Sequence, residues 1–234
     1  MAVIHLVRHG QASFGAENYD QLSELGVQQC YLLGQWMRDT QQPVEQIVTG
    51  AMHRHHQSAQ AFWAGYGAPA NLAAQHWRVE ASLNEFDHEQ ILKVSRPEFV
   101  EPGKLIRFLA EQEQPRAVLD RLFIQGLQRW MSGVHDSDYA ESWSAFKTRI
   151  ATTVDLFIPA DRNGMMVFTS GGPISLICQH MLAIPDSHIL TLLSSMMNSG
   201  VTKIIKSDDQ LRLVGTNSIA HLEVKADRSL ISYR

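Results

Sequence analysis

Short apolar runs alternate along the chain with longer stretches whose apolar residues recur at helical spacing. Four runs have the length and composition of strands: AVIHLV (2–7), EQIVTG (45–50), HWRVEASLNE (76–85) and MMVFT (165–169). Residues 22–40 predict a helix with Ser23 as its N-cap, and residues 51–67 predict a second helix that ends near Gly65 or Gly67. This alternation predicts a mostly parallel sheet that is covered by helices on both faces.

The middle of the chain, from about residue 86 to 159, is predicted to be mostly helical. Its candidate helices are residues 104–113, 116–132 and 141–157. We interpret this stretch as a helical insertion over one end of the sheet, with a separate lid as the alternative. Further on, Pro173 is expected to begin a helix, and residues 200–218 predict a hairpin around 207–209. The whole chain, residues 1–234, is predicted to form one domain that carries the insertion.

Composition narrows the class of protein without naming it. The 234 residues are 44% hydrophobic and 19% charged, as in ordinary globular enzymes, and the net charge of -4 argues against nucleic-acid or membrane partners. Cys30 and Cys178 are too few for a disulfide framework, which favours a reducing compartment. With no signal-peptide pattern and no long apolar span, a cytoplasmic protein is expected, of unknown oligomeric state.

Charged and flexible residues follow three of the predicted strands. Arg8 and His9 follow the first strand, Arg54 lies one turn into the helix after the second, and Ser170 and Gly171 follow the fourth run. Because the carboxyl ends of parallel strands share one edge of a sheet, we expect these groups to converge there. Two guanidinium forks and a helix N-terminus form a site for a tetrahedral dianion, so Arg8, Arg54, Ser170 and Gly171 are the predicted phosphate-binding residues.

One member of this set can also carry out covalent chemistry. A neutral imidazole at His9 can accept a phosphoryl group, while the arginines neutralise the charge on its oxygens. Transfer also requires an acid for the leaving oxygen. Glu85, at the end of the run HWRVEASLNE, is the best candidate, with Asp87 and His88 as alternatives in the same segment. Gly10 would let the chain turn close to the ligand.

Four motifs, VRHGQ, TGAMHRHHQSAQA, LNE and TSGGPI, together resemble the histidine phosphatase superfamily, also called phosphoglycerate mutase-like, over nearly the whole chain. The resemblance implies a three-layer α/β/α sandwich with a mixed sheet and a cofactor-independent enzyme. It also implies that His9 is phosphorylated, that Arg8 and Arg54 bind the phosphoryl group, and that Glu85 donates the proton.

The segment TSGG departs from the family pattern. Most members have a second histidine just before the paired glycines, where this chain has Ser170. Losing one imidazole donor can lower a rate about a hundredfold, so weakened or specialised activity is expected. His221 is a possible substitute donor, whereas His180 should point away. Gln11 and Ser13 are possible pocket residues.

The sequence leaves three functions open. The first is a phosphatase that hydrolyses phosphomonoesters through a phosphohistidine, acting on a small phosphorylated substrate or a phosphoprotein. The second is a phosphate-ligand binding or regulatory protein without turnover, which Ser170 motivates, and the third is a mutase. No dinucleotide-binding or P-loop motif occurs, and the spacing of His53, His55 and His56 does not favour a metal site, so neither cofactor nor metal is expected.

Overall fold

The computed structural model describes residues 2–13, 20–154, 164–208 and 210–233. The strands in these ranges are β1 (Ala2–Arg8), β2 (Gln46–Thr49), β3 (Arg78–Val79), β4 (Met165–Thr169), β5 (Val201–Ser207) and β6 (Gln210–Ser218). The helices are α1 (Glu24–Asp39), α2 (His53–Gly65), α3 (His88–Ser95), α4 (Lys104–Ala110), α5 (Pro115–Met131), α6 (Trp143–Val154), α7 (Gly171–Leu182), α8 (Ile189–Ser195) and α9 (Ala220–Glu223). None of the described helices is long and apolar enough to cross a membrane.

The strands form one mixed sheet in the order β3-β2-β4-β1-β5-β6. The first four strands of that order are parallel, while β5 pairs antiparallel with β1 and with β6. The hairpin of β5 and β6 confirms the one predicted there, although Asp209 at its turn lies outside the described residues. In the parallel pair of β1 and β4, Arg8 lies opposite Thr169, which brings the two strand ends together.

Both faces of the sheet are buried at its central strand β1, in agreement with the predicted α/β/α layering. Ile4 and Leu6 point to one face of β1 and Val7 to the other, and all three are fully buried. Val7 belongs to a core cluster that includes Leu33 of α1 and Phe62 of α2. A central strand that is apolar on both sides is typical of a parallel sheet between two helical layers.

Local signals in the sequence account for several element ends. Ser23 caps α1 as predicted, because its hydroxyl accepts a hydrogen bond from the Gly26 N–H at 3.1 Å. Helix α2 ends at Gly65, and α7 begins at Gly171, two residues before the predicted Pro173. The strand predicted over residues 76–85 is wrong in length. Only Arg78–Val79 pairs, at the exposed edge of the sheet, and a 3-10 turn follows before Glu85.

The chain divides into two compact units. One contains Met1–Glu85 and Ile150–Arg234, and the other contains Phe86–Arg149. The second unit is helical, as predicted for the insertion, and includes helix α3, which the sequence analysis missed. An aromatic cluster lies in its interior, where Trp130 is 1% exposed and packs at 5.1 Å between ring centroids against Trp143. The single-domain assignment and the placement of the insertion over the sheet remain predictions.

Candidate active site

The candidate nucleophile, His9, lies one residue beyond β1 and is 7% exposed. Its backbone N–H donates to the Thr169 carbonyl at 2.8 Å, which extends the pairing of β1 with β4 by one step. Its ring Nδ1 lies 2.7 Å from the Gly10 carbonyl oxygen. Because a carbonyl oxygen can only accept, Nδ1 carries the proton of the neutral ring and Nε2 carries the lone pair.

The surroundings of His9 keep its ring neutral. Burial lowers the pKa of His9 well below 6.5, and the positive charges of Arg54 and Arg8 and the neighbouring His55 lower it further. A neutral imidazole with its lone pair on Nε2 is the form that can attack phosphorus. The same cations that disfavour a proton on the ring would favour an anionic ligand beside it.

Arg54 is the most deeply buried cation of the site, with its side chain 2% exposed. Its Nη1 donates to Asp20 Oδ1 at 2.9 Å, and the other oxygen of that carboxylate accepts from the His53 N–H at 2.7 Å. Helix α2 has Met52 at its N-cap, without a side-chain capping bond. Asp20 therefore supplies the cap from another segment and holds the guanidinium in one place.

Arg8 ends β1 and points toward the start of α7. Its Nη1 donates to the Met196 carbonyl oxygen and, at 2.8 Å, to the Tyr233 carbonyl oxygen. A Cβ built on Gly171 would lie 3.6 Å from Arg8 Nε, so the guanidinium rests against the first residue of α7. The structure thus places a second cation beside the helix N-terminus, on the strand residue directly before His9.

The end of β4 supplies the N-terminus of α7. Ser170 is the N-cap residue and is fully buried, but its side chain makes no capping hydrogen bond. Its Oγ lies 2.7 Å from His55 Nε2 instead. The Gly172 N–H donates to Glu85 Oε2 at 3.0 Å, so the candidate acid lies directly at the N-terminus of the helix that begins at Gly171. Such an N-terminus attracts anions.

The two loop residues predicted as possible pocket residues make local contacts. The Gln11 side-chain oxygen accepts a hydrogen bond from Ser23 Oγ at 2.9 Å, at the start of α1. The Ser13 N–H donates to the Gln21 carbonyl at 2.8 Å. These contacts brace the loop after β1, and a role for either residue in ligand binding remains a prediction.

His221 lies in α9, and its Nε2 is 2.8 Å from Ser199 Oγ. The Ser199 N–H and the Asn198 side-chain amide both donate to the His9 carbonyl, at 3.2 and 3.3 Å. His221 therefore contacts Ser199, whose backbone N–H is bonded to the His9 carbonyl. Burial lowers the pKa of His221 to about 3, so its ring is neutral. Its predicted role as a substitute donor remains a prediction.

The packing of helix α1 against the loop after β1 requires a glycine at Gly10, independently of any ligand. A Cβ at Gly10 would lie 2.2 Å from the Gly26 carbonyl oxygen, because α1 crosses directly over the loop. The Gly10 N–H donates to Ser58 Oγ at 3.1 Å, and Ser58 in turn donates to the Arg54 carbonyl at 2.7 Å. The loop that carries His9 is therefore tied to helix α2.

Sequence reasoning missed the polar residues that hold the candidate site in place. Asp20 and His55 were not assigned a role, and neither was Asn84, whose side-chain oxygen accepts from the Ala51 N–H at 2.7 Å. The signal for His55 was its place beside Arg54 on the first turn of α2. Among the described residues there is no group of three or more histidine, cysteine, aspartate or glutamate side chains that could hold a metal ion.

This site can be compared with known proteins. Residues 4–219 match the family model described as the histidine phosphatase superfamily, branch 1. The protein therefore belongs to the histidine phosphatase superfamily, and the resemblance inferred from the four motifs is confirmed. A comparison with curated proteins finds no match.

Solved structures with the same fold include phosphatases and a mutase. A variant of phosphoserine phosphatase from Entamoeba histolytica in complex with phosphoserine is 16% identical, with a TM-score of 0.62 over 95% of this chain and 100% of that one. Phosphoglycerate mutase from Bacillus anthracis is 17% identical, with a TM-score of 0.62 over 97% of each chain. A putative alpha-ribazole-5'-P phosphatase from Escherichia coli is 14% identical, with a TM-score of 0.60 over 93% of this chain and 97% of that one. At these identities the likeness shows the fold.

Proposed function

We propose that the protein is a phosphatase that hydrolyses phosphomonoesters through a phosphohistidine intermediate on His9. One observation carries the proposal. The His9 ring is buried and neutral beside two arginines, and its Nδ1 proton is bound to the Gly10 carbonyl, which leaves the Nε2 lone pair available. Arg8, Arg54 and the N-terminus of α7 then bind the phosphoryl oxygens.

In the first half of the reaction, the Nε2 lone pair of His9 attacks phosphorus and the bond to the ester oxygen breaks. The electron pair of that bond stays on the leaving oxygen, which takes a proton from Glu85 and departs as an alcohol. Arg8 and Arg54 offset the charge that spreads over the phosphoryl oxygens during transfer.

In the second half, Glu85 acts as a base. Water attacks the phosphohistidine, its proton passes to the Glu85 carboxylate, and the electron pair of the P–N bond returns to His9 Nε2. Inorganic phosphate then leaves. Both halves use the same carboxyl group, so each turnover restores the starting protonation of Glu85 and His9.

The contact between Glu85 and the Gly172 N–H supports this double role. It places the carboxyl group at the helix N-terminus where the phosphoryl group would bind. Two anions in that place repel each other, and a proton on the carboxyl group relieves the repulsion. The first half of the reaction uses this protonated form of Glu85.

The solved structures support a broad substrate class. The Entamoeba phosphatase is seen with phosphoserine in one structure and with 3-phosphoglyceric acid in another. We infer that this chain too acts on a small phosphorylated substrate in the cytoplasm, with a phosphoprotein as the alternative and no need for a cofactor. The net charge of -4 favours neither nucleic acid nor a membrane surface as a partner.

The test is a screen for phosphate release from phosphomonoesters of sugars, amino acids, glycerate and nucleosides. Wild type should release phosphate with at least one class, and His9→Ala should reduce that release to background. His5→Ala is the matched control, because this histidine lies on β1, the strand that precedes His9, and outside the site. Equal phosphate release by wild type and His9→Ala on every substrate would overturn the proposal.

A phosphate-binding protein without turnover is the second candidate, and Ser170 at the end of β4 is the observation that favours it. Calorimetry that shows tight binding of a phosphomonoester, together with no phosphate release, would support this candidate over the phosphatase. A mutase would return the phosphoryl group to a second hydroxyl of the substrate. It would produce an isomer of the substrate in place of inorganic phosphate.

A further inference from the structure

His55 is a buried histidine that the mechanism above does not use. It lies in the first turn of α2, directly after Arg54, and it is 0% exposed. Its ring centroid lies 5.9 Å from that of His9, and its Nε2 lies 2.7 Å from Ser170 Oγ. The His55 ring therefore contacts Ser170, the residue after β4, and also faces the candidate nucleophile His9.

The chain makes specific room for this ring. Gly50, the residue after β2, lies so close that a Cβ built on it would be 2.2 Å from His55 Nδ1 and 2.8 Å from Cε1. Real Cβ atoms do not approach other atoms so closely, so any other residue at Gly50 would displace the imidazole. The position of His55 against Ser170 thus depends on a glycine at the end of β2.

The hydrogen-bond partners of His55 assign its proton. Burial, followed by the charges of Arg54 and His56, lowers the pKa of His55 well below 6.5, so the ring holds a single proton. Nδ1 is buried and has no hydrogen-bond partner among the residues that the structure describes. A proton on Nδ1 would have no acceptor, whereas a proton on Nε2 is donated to Ser170 Oγ.

This assignment leaves the hydroxyl proton of Ser170 available for another acceptor. A serine at an N-cap usually accepts from the backbone of its own helix, but Ser170 does not, and Glu85 accepts from Gly172 in its place. Arg8 lies opposite Thr169 across the parallel pair, so the next residues, His9 and Ser170, end neighbouring strands side by side. Ser170 therefore lies beside the candidate nucleophile at this edge of the sheet.

We propose that His55 is a positioning residue that holds the Ser170 hydroxyl as a hydrogen-bond donor to the transferring phosphoryl group. The proposal rests on the proposed function. The His55 Nε2–H donates to Ser170 Oγ, and the Ser170 O–H donates to a phosphoryl oxygen. Two residues, one from α2 and one from the end of β4, together deliver one donor to the site.

The test compares Ser170→Ala, His55→Asn and His55→Gln. A glutamine amide can place its N–H near the position of the histidine Nε2, whereas the shorter asparagine cannot reach Ser170. We expect Ser170→Ala and His55→Asn to lower kcat by about 10-fold to 100-fold with little change in KM, as for the loss of a transition-state donor. His55→Gln should recover most of the loss.

The double variant Ser170→Ala/His55→Asn decides whether His55 acts through Ser170 or independently of it. If His55 acts only through Ser170, the double variant is no slower than Ser170→Ala alone. Losses that multiply, or a His55→Gln variant as slow as His55→Asn, would overturn the proposal. His56→Gln is the matched control on the same turn and should keep wild-type kcat.

A second measurement keeps this proposal separate from the proposed function. Orthovanadate affinity, followed by calorimetry, needs no turnover. If wild type shows no His9-dependent phosphate release, the phosphatase proposal fails, but vanadate binding still decides the present one. We expect Ser170→Ala and His55→Asn to weaken vanadate binding by the same factor, singly and together. Unchanged vanadate affinity in both single variants would overturn the proposal.

Discussion

Two buried serine–histidine pairs flank His9, and they differ in what the serine faces. We call Ser170 with His55 the front pair and Ser199 with His221 the rear pair. The distance from ring Nε2 to serine Oγ is 2.7 Å in the front pair and 2.8 Å in the rear pair, and in each the histidine pKa is lowered chiefly by burial. By composition and local chemistry the pairs are nearly identical.

Their positions separate them. The front pair lies at the N-terminus of α7, where Ser170 is the N-cap, and its His55 ring centroid is 5.9 Å from that of His9. In the rear pair the Ser199 N–H donates to the His9 carbonyl, so this pair contacts the backbone of His9. In the proposed mechanism, a serine–histidine pair serves the chemistry in the front position, and the same kind of pair supports the backbone in the rear position.

The largest expected effect comes from rebuilding the front pair. Ser170→His alone places a second imidazole where the His55 ring already lies, because Ser170 Oγ is only 2.7 Å from His55 Nε2. The clash should lower kcat by about 100-fold or more, comparable to losing an oxyanion donor. Adding His55→Ser clears the space, and steady-state kinetics should then show recovery. A single Ser170→His variant that is faster than wild type would contradict this account of the packing.

Displacing the front pair indirectly should have a smaller effect. Gly50→Ala pushes a methyl group into the His55 ring and should lower kcat by about tenfold, since one hydrogen bond is lost or distorted. Gly215→Ala is the matched control, because nothing lies within 4 Å of a Cβ at Gly215 in β6. Equal kcat values for both variants would show that the position of His55 does not matter for turnover.

The rear pair should respond mainly in stability. His221→Asn leaves the Ser199 hydroxyl unpaired in a buried place and should lower the free energy of unfolding by about 1–3 kcal/mol. Its kcat should change less than that of His55→Asn, because the rear pair contacts the backbone of His9. Denaturant unfolding and steady-state kinetics on both asparagine variants measure the contrast. A greater loss of kcat in His221→Asn would reverse the roles assigned to the two pairs.

The smallest expected effect is a pH dependence of stability. Burial lowers the pKa of His5 to about 4 and of His221 to about 3, from 6.5 in the unfolded chain. Below about pH 6.5 the unfolded chain therefore binds protons that the folded chain does not, and the free energy of unfolding falls as pH falls. Each ring contributes a slope of about 1 kcal/mol per pH unit below that pH.

Thermal and denaturant unfolding of His221→Asn between about pH 6 and about pH 5 checks this sign. The slope of the free energy of unfolding against pH should be smaller in the variant by the contribution of one histidine ring. His180→Asn is the control, because that ring is exposed in the folded protein. An unchanged slope in His221→Asn would mean that its ring is not buried in the neutral form.

The sequence predicted those parts of the fold and site that depend on local pattern and on parallel pairing. Arg8 and His9 follow one apolar run and Ser170 follows another, and parallel strands bring their carboxyl ends to one edge. The register of Arg8 opposite Thr169 agrees with that expectation. The α/β class was predictable from the alternation of strand and helix patterns along the chain. The cap at Ser23 was predictable because it depends on neighbours in sequence.

The missed parts depend on contacts between distant segments. The pairing of His55 with Ser170 spans 115 residues and requires Gly50 to be small, and nothing in a local pattern indicates either condition. Asp20 as the partner of Arg54 is equally remote from any periodic signal. The strand predicted before Glu85 was too long, because apolar content alone does not show that an edge segment lacks a pairing partner beyond Arg78–Val79.

The most direct test of the account is to trap the phosphorylated protein. Wild type is mixed with a turned-over phosphomonoester, quenched within one turnover in base, and examined by peptide mass spectrometry. We predict one phosphoryl group on His9, stable in base and labile in acid, and absent from His9→Ala. A phosphoryl group on another residue, or substrate turnover without any phosphorylated protein, would contradict the central claim.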